Sequence, residues 1–570
     1  MKPFYTSILI KIFITLHFSL FTFLTSQSQN FRSPIDIPLK LAAHFGDIRP
    51  NHYHAGLDIE TEQKEGLNVY AVADGYVSRI KVAANGYGNA LYITHPNGYT
   101  SVYGHLQRYT DNISAYLKKN QYEKESFEID LFPTPDLFPV KKGDVVAFSG
   151  NTGDSGGPHV HFEIRDTKTE EPVNPLLFGF DIPDHEPPVI FSLKAYPQYH
   201  SGFINNKSSP QKFTVISKNK NSYQVAENSV INVHGNIGFS VEGYDMEDGN
   251  DQHFVLNSLE LLLDGKPQFI ATINRFNFDE KRCVNAHVDY EEMKKTGEQF
   301  LKLFREPNDR FSAYKGSGSG VLDIQDTLLH YIKIVAKDVA GNISELNFKI
   351  KNNPDVIIPF VGMKTKHDTK VFPYQIPNNY ETNDVKITFP EGTLYDTLFF
   401  NYSTTKVTSK YYSSIHHIHT IYTPINTAIN LSVKCNNIPV KYEEKALIVH
   451  LDSKGNASAI KSSYKDGWVS GNPGVLGDFA VMIDTIPPVI TLMNNMGNEL
   501  EYKFKITDNL SGIKSVRATI NGKWILLVED GKTQTYTCHF ENAQQYHHGE
   551  FLLEAIDNKG NKAIYQTKQH

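Results

Sequence analysis

Gly150-Asn-Thr-Gly-Asp-Ser-Gly-Gly-Pro-His-Val-His-Phe-Glu163 sets a glycine-rich loop directly ahead of an alternating segment. Alternate residues of a strand project to one face, so His159 and His161 present two imidazoles side by side. Alone, such a pair fits a solvated strand face as well as a metal site. The glycines before it let backbone approach whatever the histidines hold. Outward from this stretch the chain keeps a β-like texture, as in Asn89-Ala-Leu-Tyr-Ile-Thr-His95 and Leu328-Leu-His-Tyr-Ile-Lys-Ile-Val335. Gly, Asn, Asp and Pro punctuate it roughly every ten residues, which predicts an all-β protein. The 31 Tyr and 35 Phe suit pleated, half-buried surfaces. One segment departs from this texture. Ile113-Ser-Ala-Tyr-Leu-Lys-Lys-Asn-Gln-Tyr-Glu-Lys124 places Ile113, Tyr116, Leu117 and Tyr122 on one stripe of a short helix, with Asp111 or Asn112 as its cap. Pro133, Pro135 and Pro139 follow.

At 570 residues the chain has room for three to four domains of roughly 150 residues. Its 40% hydrophobic and 21% charged content is that of folded protein, and a net charge of −7 with no basic patch excludes nucleic acid as the expected partner. Lys2 and Lys11 precede an apolar run, Ile12 to Leu24, that is shorter than the about 20 residues of a membrane span. Ser26-Gln27-Ser28 offers a cleavage site, so residues 1–28 read as a signal peptide and the protein as exported, to the periplasm, the cell envelope or the medium. An uncleaved N-terminal anchor is the alternative. No later segment predicts a transmembrane domain. Cys283, Cys435 and Cys538 have no metal-ligand spacing and read as buried apolar residues.

A repeat marks the C-terminal part. Glu186-Pro-Pro-Val-Ile190 resembles Ile486-Pro-Pro-Val-Ile490, each preceded by Asp, at 184 and 484. Downstream, Ala336-Lys-Asp-Val-Ala-Gly-Asn342 resembles Ala555-Ile-Asp-Asn-Lys-Gly-Asn561. Pro-Pro suits the start of an edge strand, and Asp-x-x-Gly-Asn a tight hairpin before the last strand. These bookends resemble bacterial immunoglobulin-like modules. They imply β-sandwiches at 183–352, with insertions, and 485–570, around a β-rich domain of unrecognised type at 353–484. Residues 29–182 are left for the domain that carries the chemistry.

Two further segments join the first. Arg49-Pro-Asn-His-Tyr-His-Ala-Gly-Leu-Asp58 places His54 and Asp58 four apart, and in extended geometry such positions share a face. With one histidine of the His-x-His pair they make a two-His, one-Asp zinc site, whose fourth position is left for water, as in catalytic centres. Tyr103-Gly-His-Leu106 supplies His105. An imidazole that is not a ligand is suited to take a proton or steady an oxyanion.

The combined set resembles the lysostaphin/LytM-type zinc metallopeptidases, which cut peptide bonds in bacterial cell-wall peptidoglycan. His54-x-x-x-Asp58, Tyr103-Gly-His-Leu106 and Pro158-His-Val-His161-Phe-Glu carry the likeness, helped by Ala71-Val-Ala-Asp-Gly75, Gly86-Tyr-Gly-Asn-Ala90 and Lys142-Gly-Asp-Val145. It spans roughly residues 40–180. It implies a compact antiparallel β-domain holding one Zn²⁺ on His54, Asp58 and His161, with His105 and His159 catalytic. The implied activity is a zinc metalloendopeptidase acting on peptidoglycan cross-bridges. The rivals are a secreted protease for Gly-rich protein and a non-catalytic envelope binding or amidase-activator module. Peptidoglycan peptides are the implied substrate, and an envelope protein or glycan is the partner open to the C-terminal sandwiches.

Three neighbours of the site are candidates of lower rank: His52 in the groove, Tyr103 beside His105, and Glu163, which shares a strand face with His161 and could orient it. The segment between His105 and Lys141 is longer than the resemblance implies, and residues 110–138 are expected to wall or lid the groove. His416-His-Ile-His419 and His547-His548 read as solvated faces, and Asp245-Met-Glu-Asp-Gly-Asn-Asp251 as a solvated turn rather than a calcium loop.

Overall fold

The computed structural model describes residues 31–199, 201–226, 230–316, 318–355, 370–406, 410–493, 501–540 and 550–568. The expected signal peptide and His547-His548 lie outside them. The chain is almost entirely β-strand. Among the described residues no helix is long and apolar enough to cross a membrane.

In the N-terminal part, antiparallel strands line up in the order Leu41–Ala43, Leu57–Glu60, His159–Asp166, Tyr99–Gly104, Asn89–Thr94, Gly75–Val82 and Ile129–Leu131. The strand His159–Asp166 shows why it forms. Val160, Phe162 and Ile164 turn into the core with Leu57, Ile59, Leu91 and Ile93. The intervening His159, His161, Glu163 and Arg165 then fall on the opposite face by the two-residue period. A second, three-stranded sheet of Asn68–Tyr70, Val145–Phe148 and Arg108–Tyr109 packs beside it.

The expected helix spans Asp111–Lys124, with its cap at Thr110, one residue before Asp111 and two before Asn112. Thr110 occupies the cap position without accepting a helix backbone N–H, because its hydroxyl donates to the Asn112 side chain instead. Ile113 is buried, and Tyr116 and Leu117 pack on the core. The rest of the insertion does not lid the groove. Its strand Ile129–Leu131 pairs with Gly75–Val82 at the sheet edge farthest from Leu57–Glu60. From there Glu128 Oε1 accepts from the Ala84 N–H and props the loop before Tyr87.

The second unit begins at Val189–Pro197. This strand is not an edge: it pairs with Gln211–Asn219 on one side and Asn236–Tyr244 on the other. The Pro-Pro pair lies ahead of it, so no ladder donor is lost. Parts of the stretch 273–313 pack on the N-terminal domain, while its strand Phe300–Lys302 stays paired with Asn236–Tyr244 in the second unit. Phe276, Cys283, Val284 and Phe311 join its core, Tyr53 stacks on Phe311 at 4.6 Å, and the Tyr53 hydroxyl meets His287 Nδ1 at 3.0 Å. The third unit pairs two five-stranded sheets and the last pairs two four-stranded ones. The last unit also touches the first. Trp524 meets Tyr122 edge to face at 5.1 Å, Arg517 pairs with Glu125 at 2.6 Å, and Lys532 Nζ donates to Asn151.

Two minor expectations change. His416 is fully buried rather than solvated, because its strand Ile415–Ile418 is paired on both sides and alternate residues turn inward. Its Nδ1 bonds the Tyr402 hydroxyl at 2.8 Å. Cys283 and Cys538 are buried free thiols, while Cys435 is half-buried.

Candidate metal centre

His161 sits where three strands converge. Its register partners are Asp58 on one side and Gly104 on the other. His54 arrives differently from the expected single extended segment. It follows the two-residue strand His52–Tyr53, and the chain bends through Ala55 and Gly56 before Leu57. Gly56 permits that bend, since a Cβ there would lie 2.3 Å from the Phe162 carbonyl oxygen. Gly56→Ala is expected to destabilise the domain by about 3 kcal/mol and to lower metal occupancy. Denaturant melting and metal analysis check both, and a wild-type midpoint would contradict the packing argument.

The metal-ligating atoms of His54, Asp58 and His161 all lie within 4.8 Å of one another. His161 Nδ1 is 2.9 Å from Asp58 Oδ1 and 3.0 Å from His54 Nε2, and His54 Nε2 is 3.1 Å from Asp58 Oδ1. Which nitrogen of each ring carries hydrogen follows from its outward partner. Carbonyls and carboxylates only accept. His54 Nδ1 donates to the His44 carbonyl at 2.7 Å, which frees Nε2. His161 Nε2 donates to Glu163 Oε1 at 2.9 Å, which frees Nδ1. His105 Nδ1 donates to the Thr152 carbonyl at 2.7 Å, and His159 Nδ1 to the Gly157 carbonyl at 2.8 Å. All four imidazoles are therefore tied from outside, with a lone pair left on the other nitrogen. His159 Nε2 is buried without a hydrogen bond, 3.4 Å from Asp58 Oδ1.

The electrostatics fit a bound cation. Burial opposes the Asp58 charge, but the positive potential of His54, with the His159 and His161 rings close by, holds it far below the carboxylate range. Burial also opposes a charged His161, yet Asp58 and Glu163 push it up to about 9. Burial, then the His161 and His159 charges, push His105 down to about 3. His105 is thus neutral at ordinary pH and able to accept a proton. Its backbone is left-handed at φ 58°, held by a bond from its own N–H to the Tyr87 carbonyl at 2.8 Å. Histidine enters this region more readily than most residues that are not glycine.

Glu163 is fully buried between His161 and Arg165, whose Nε donates to it at 2.5 Å. Burial alone would raise its pKa, but Arg165 and His161 bring it down to about 2. Glu163→Gln should weaken metal affinity about 10- to 100-fold and destabilise the domain by about 3 kcal/mol through the stranded arginine. Metal competition and thermal melting would read these separately.

His52 is exposed on the rim of a hollow of about 430 Å³ that His54, Tyr87, His161, Phe276 and Lys281 also line. Tyr103 does not reach this hollow. It is fully buried, packs on Phe162 and accepts the Val72 N–H at 3.1 Å, because it points to the core side of its strand. Tyr87 is a site residue that motif spacing does not single out: its ring stacks on His161 at 4.8 Å. His44 and Thr152 act through backbone carbonyls, which side-chain chemistry cannot reveal. Arg165 was open to the alternation that links His161 to Glu163.

Residues 52–122 and 138–175 match the family described as Peptidase family M23, and residues 369–484 match a Zu5-like domain. A DD-carboxypeptidase/endopeptidase, Mpg, from Neisseria meningitidis serogroup B is 34% identical over 131 residues, covering 23% of this chain and 24% of its own. An uncharacterized metalloprotease from Haemophilus influenzae is 35% identical over 131 residues, 23% of this chain and 21% of that protein. The chain thus spans about a quarter of the length of the curated relatives it matches. A zinc-containing peptidase from Vibrio cholerae is 26% identical, with a TM-score of 0.20 over 27% of this chain and 41% of that one. The N-terminal part is a LytM-type M23 metallopeptidase domain.

Proposed function

We propose that this M23 domain is an exported zinc metalloendopeptidase that hydrolyses peptide bonds in peptidoglycan cross-bridges. One observation carries the reading. Four histidines, each tied from outside to an acceptor, cluster about one half-buried aspartate. His54 Nε2, Asp58 and His161 Nδ1 would hold the zinc, an N/N/O donor set that suits it. Zinc there would supply Lewis-acid polarisation of the scissile carbonyl and would acidify the attacking water.

The chain's own residues do the rest. His105 and His159, with ring centroids 4.7 Å apart, each keep Nε2 free for a proton. His105 accepts the proton of the water and returns it to the departing amine, which needs a neutral imidazole. His159, when it carries a proton on Nε2 as well, donates that hydrogen to the oxyanion side of the reacting carbonyl. Glu163 and the His44 carbonyl hold the ligand rings in the tautomers the metal needs. The exposed rim at His52 receives the peptide, and Phe276 and Lys281 of the second unit extend the groove. The C-terminal sandwiches, read as immunoglobulin-like modules, would dock an envelope protein or glycan.

Digestion of purified peptidoglycan by the mature protein, with and without a chelator, tests this reading. Chelator-sensitive peptide release, seen by mass spectrometry, is the expected result. A zinc-loaded protein that releases nothing would overturn it in favour of a protein substrate or a binding role.

A further inference from the structure

Two clusters of three aspartates recur at equivalent places in the second and last units. In each cluster the carboxylate oxygens lie within 4.8 Å of one another: Asp184, Asp245 and Asp338 in one, and Asp484, Asp508 and Asp557 in the other. The equivalence is one of register. Val189 pairs with Tyr244, the residue before Asp245, and Val489 pairs with Thr507, the residue before Asp508. Asp338 and Asp557 follow or end the next-to-last strands of their units.

The bonds repeat as well. Asp338 Oδ1 accepts from the Gly341 and Asn342 N–H groups, and Asp557 Oδ1 from those of Lys559 and Asn561. The amide of Asn342 donates to the Asp184 carbonyl at 3.2 Å, and that of Asn561 to the Asp484 carbonyl at 3.0 Å.

Acidic residues in a turn need no ligand when water reaches them, and the sequence suggested such a turn at Asp245. The structure contradicts that. Asp245 is 3% exposed, and its Oδ1 has no hydrogen-bond partner. Asp508 Oδ1, at the matching position, is likewise buried and unpartnered. A buried carboxylate oxygen without a donor is costly, and polar atoms in native proteins rarely stay so. Asp184 and Asp245 also line a cavity of about 150 Å³. Among the described residues no lysine, arginine or histidine forms an ion pair with any of the six carboxylates; Lys559 is near the second cluster, but its Nζ donates to the Ser462 carbonyl. Burial, then the Asp338 and Asp184 charges, push the Asp245 carboxyl up to about 8.

We propose that each cluster is a calcium site, so that the protein binds two calcium ions in addition to the metal of its peptidase domain. The donors are all oxygen, which selects a hard cation over zinc. Magnesium prefers to keep its water shell, whereas calcium accepts a cluster of carboxylate and carbonyl oxygens of irregular geometry. The first site also bears on the joint between units. Its cavity is shared with His44 and Glu247, which meet at 2.8 Å across that joint.

Calcium titration of the full-length, zinc-loaded protein tests the proposal, by calorimetry and by terbium luminescence. Two sites are expected, with dissociation constants on the order of 10⁻⁴ to 10⁻³ M, as in extracellular modules. Asp245→Asn should remove one site and Asp508→Asn the other, with zinc content unchanged. Calcium should also raise the melting temperature of the wild type, and the double variant should lose that shift. Fewer than two sites in the wild type overturns the proposal even if a variant fails to fold. So does calcium binding that both variants retain. The readouts do not depend on peptidase activity, so a failed substrate assay leaves them intact.

Discussion

His161→Ala is expected to cost the protein its metal and its peptidase activity together. The ring is 3% exposed at the crossing of three strands, and its Nδ1 faces both Asp58 and His54. Alanine there removes one of three donors and leaves the outward carboxylate Glu163 without its imidazole partner. Loss of a ligand's outer partner weakens affinity about 10- to 100-fold, and loss of the ligand itself should exceed the upper end of that range. Metal analysis of the purified variant should find well under one equivalent, and turnover should fall in step. Full zinc content in a folded His161→Ala protein would mean that His159 or His52 is the ligand instead. Circular dichroism separates this outcome from unfolding.

His105→Ala separates metal binding from proton transfer. His105 lies outside the group of three ligands, and its ring is turned by Thr152 so that Nε2 stays free. The variant should keep its zinc and lose about 10²- to 10⁴-fold in turnover, the range supplied by a positioned general acid–base group. The loss should fall on kcat more than on KM, since His105 acts on the proton in flight rather than on bound peptide. A fully active His105→Ala protein would sink the assignment and leave His159 as the sole proton carrier. Because burial holds His105 down near 3, its neutral form persists well below neutral pH.

The parts of the site that follow a short period were legible in the sequence. His159, His161, Glu163 and Arg165 alternate along one strand, and no tertiary information is needed to put them on one face. Long-range register was not legible. Nothing within Tyr103-Gly-His105 says that Tyr103 turns to the core while His105 enters the site, because the left-handed backbone at His105 resets the alternation there. Backbone acceptors such as the His44 and Thr152 carbonyls leave no compositional trace. Burial imposed by another unit is equally hidden. Asp245 reads as solvated in its own turn, and the cavity it lines is closed by residues more than sixty positions earlier and ninety later. The insertion at 110–138 had a readable helix, but its docking edge depended on which strand of the sheet lacked a neighbour.

The contacts of the last unit with the first carry a consequence for biosynthesis. Arg517 and Glu125 are 392 residues apart. Closing so long a loop adds little free energy beyond a shorter one, since each doubling costs about 0.6 kcal/mol. In time it matters more. Domains fold as they leave the ribosome or the export channel, N-terminal first. The catalytic domain therefore folds while Tyr122, Glu125 and Asn151 still face solvent, and it gains its final partners only after residue 532 has emerged. Asn151 immediately precedes Thr152, the residue that orients His105. An unfinished chain thus holds the loop beside His105 with one anchor fewer than the completed protein.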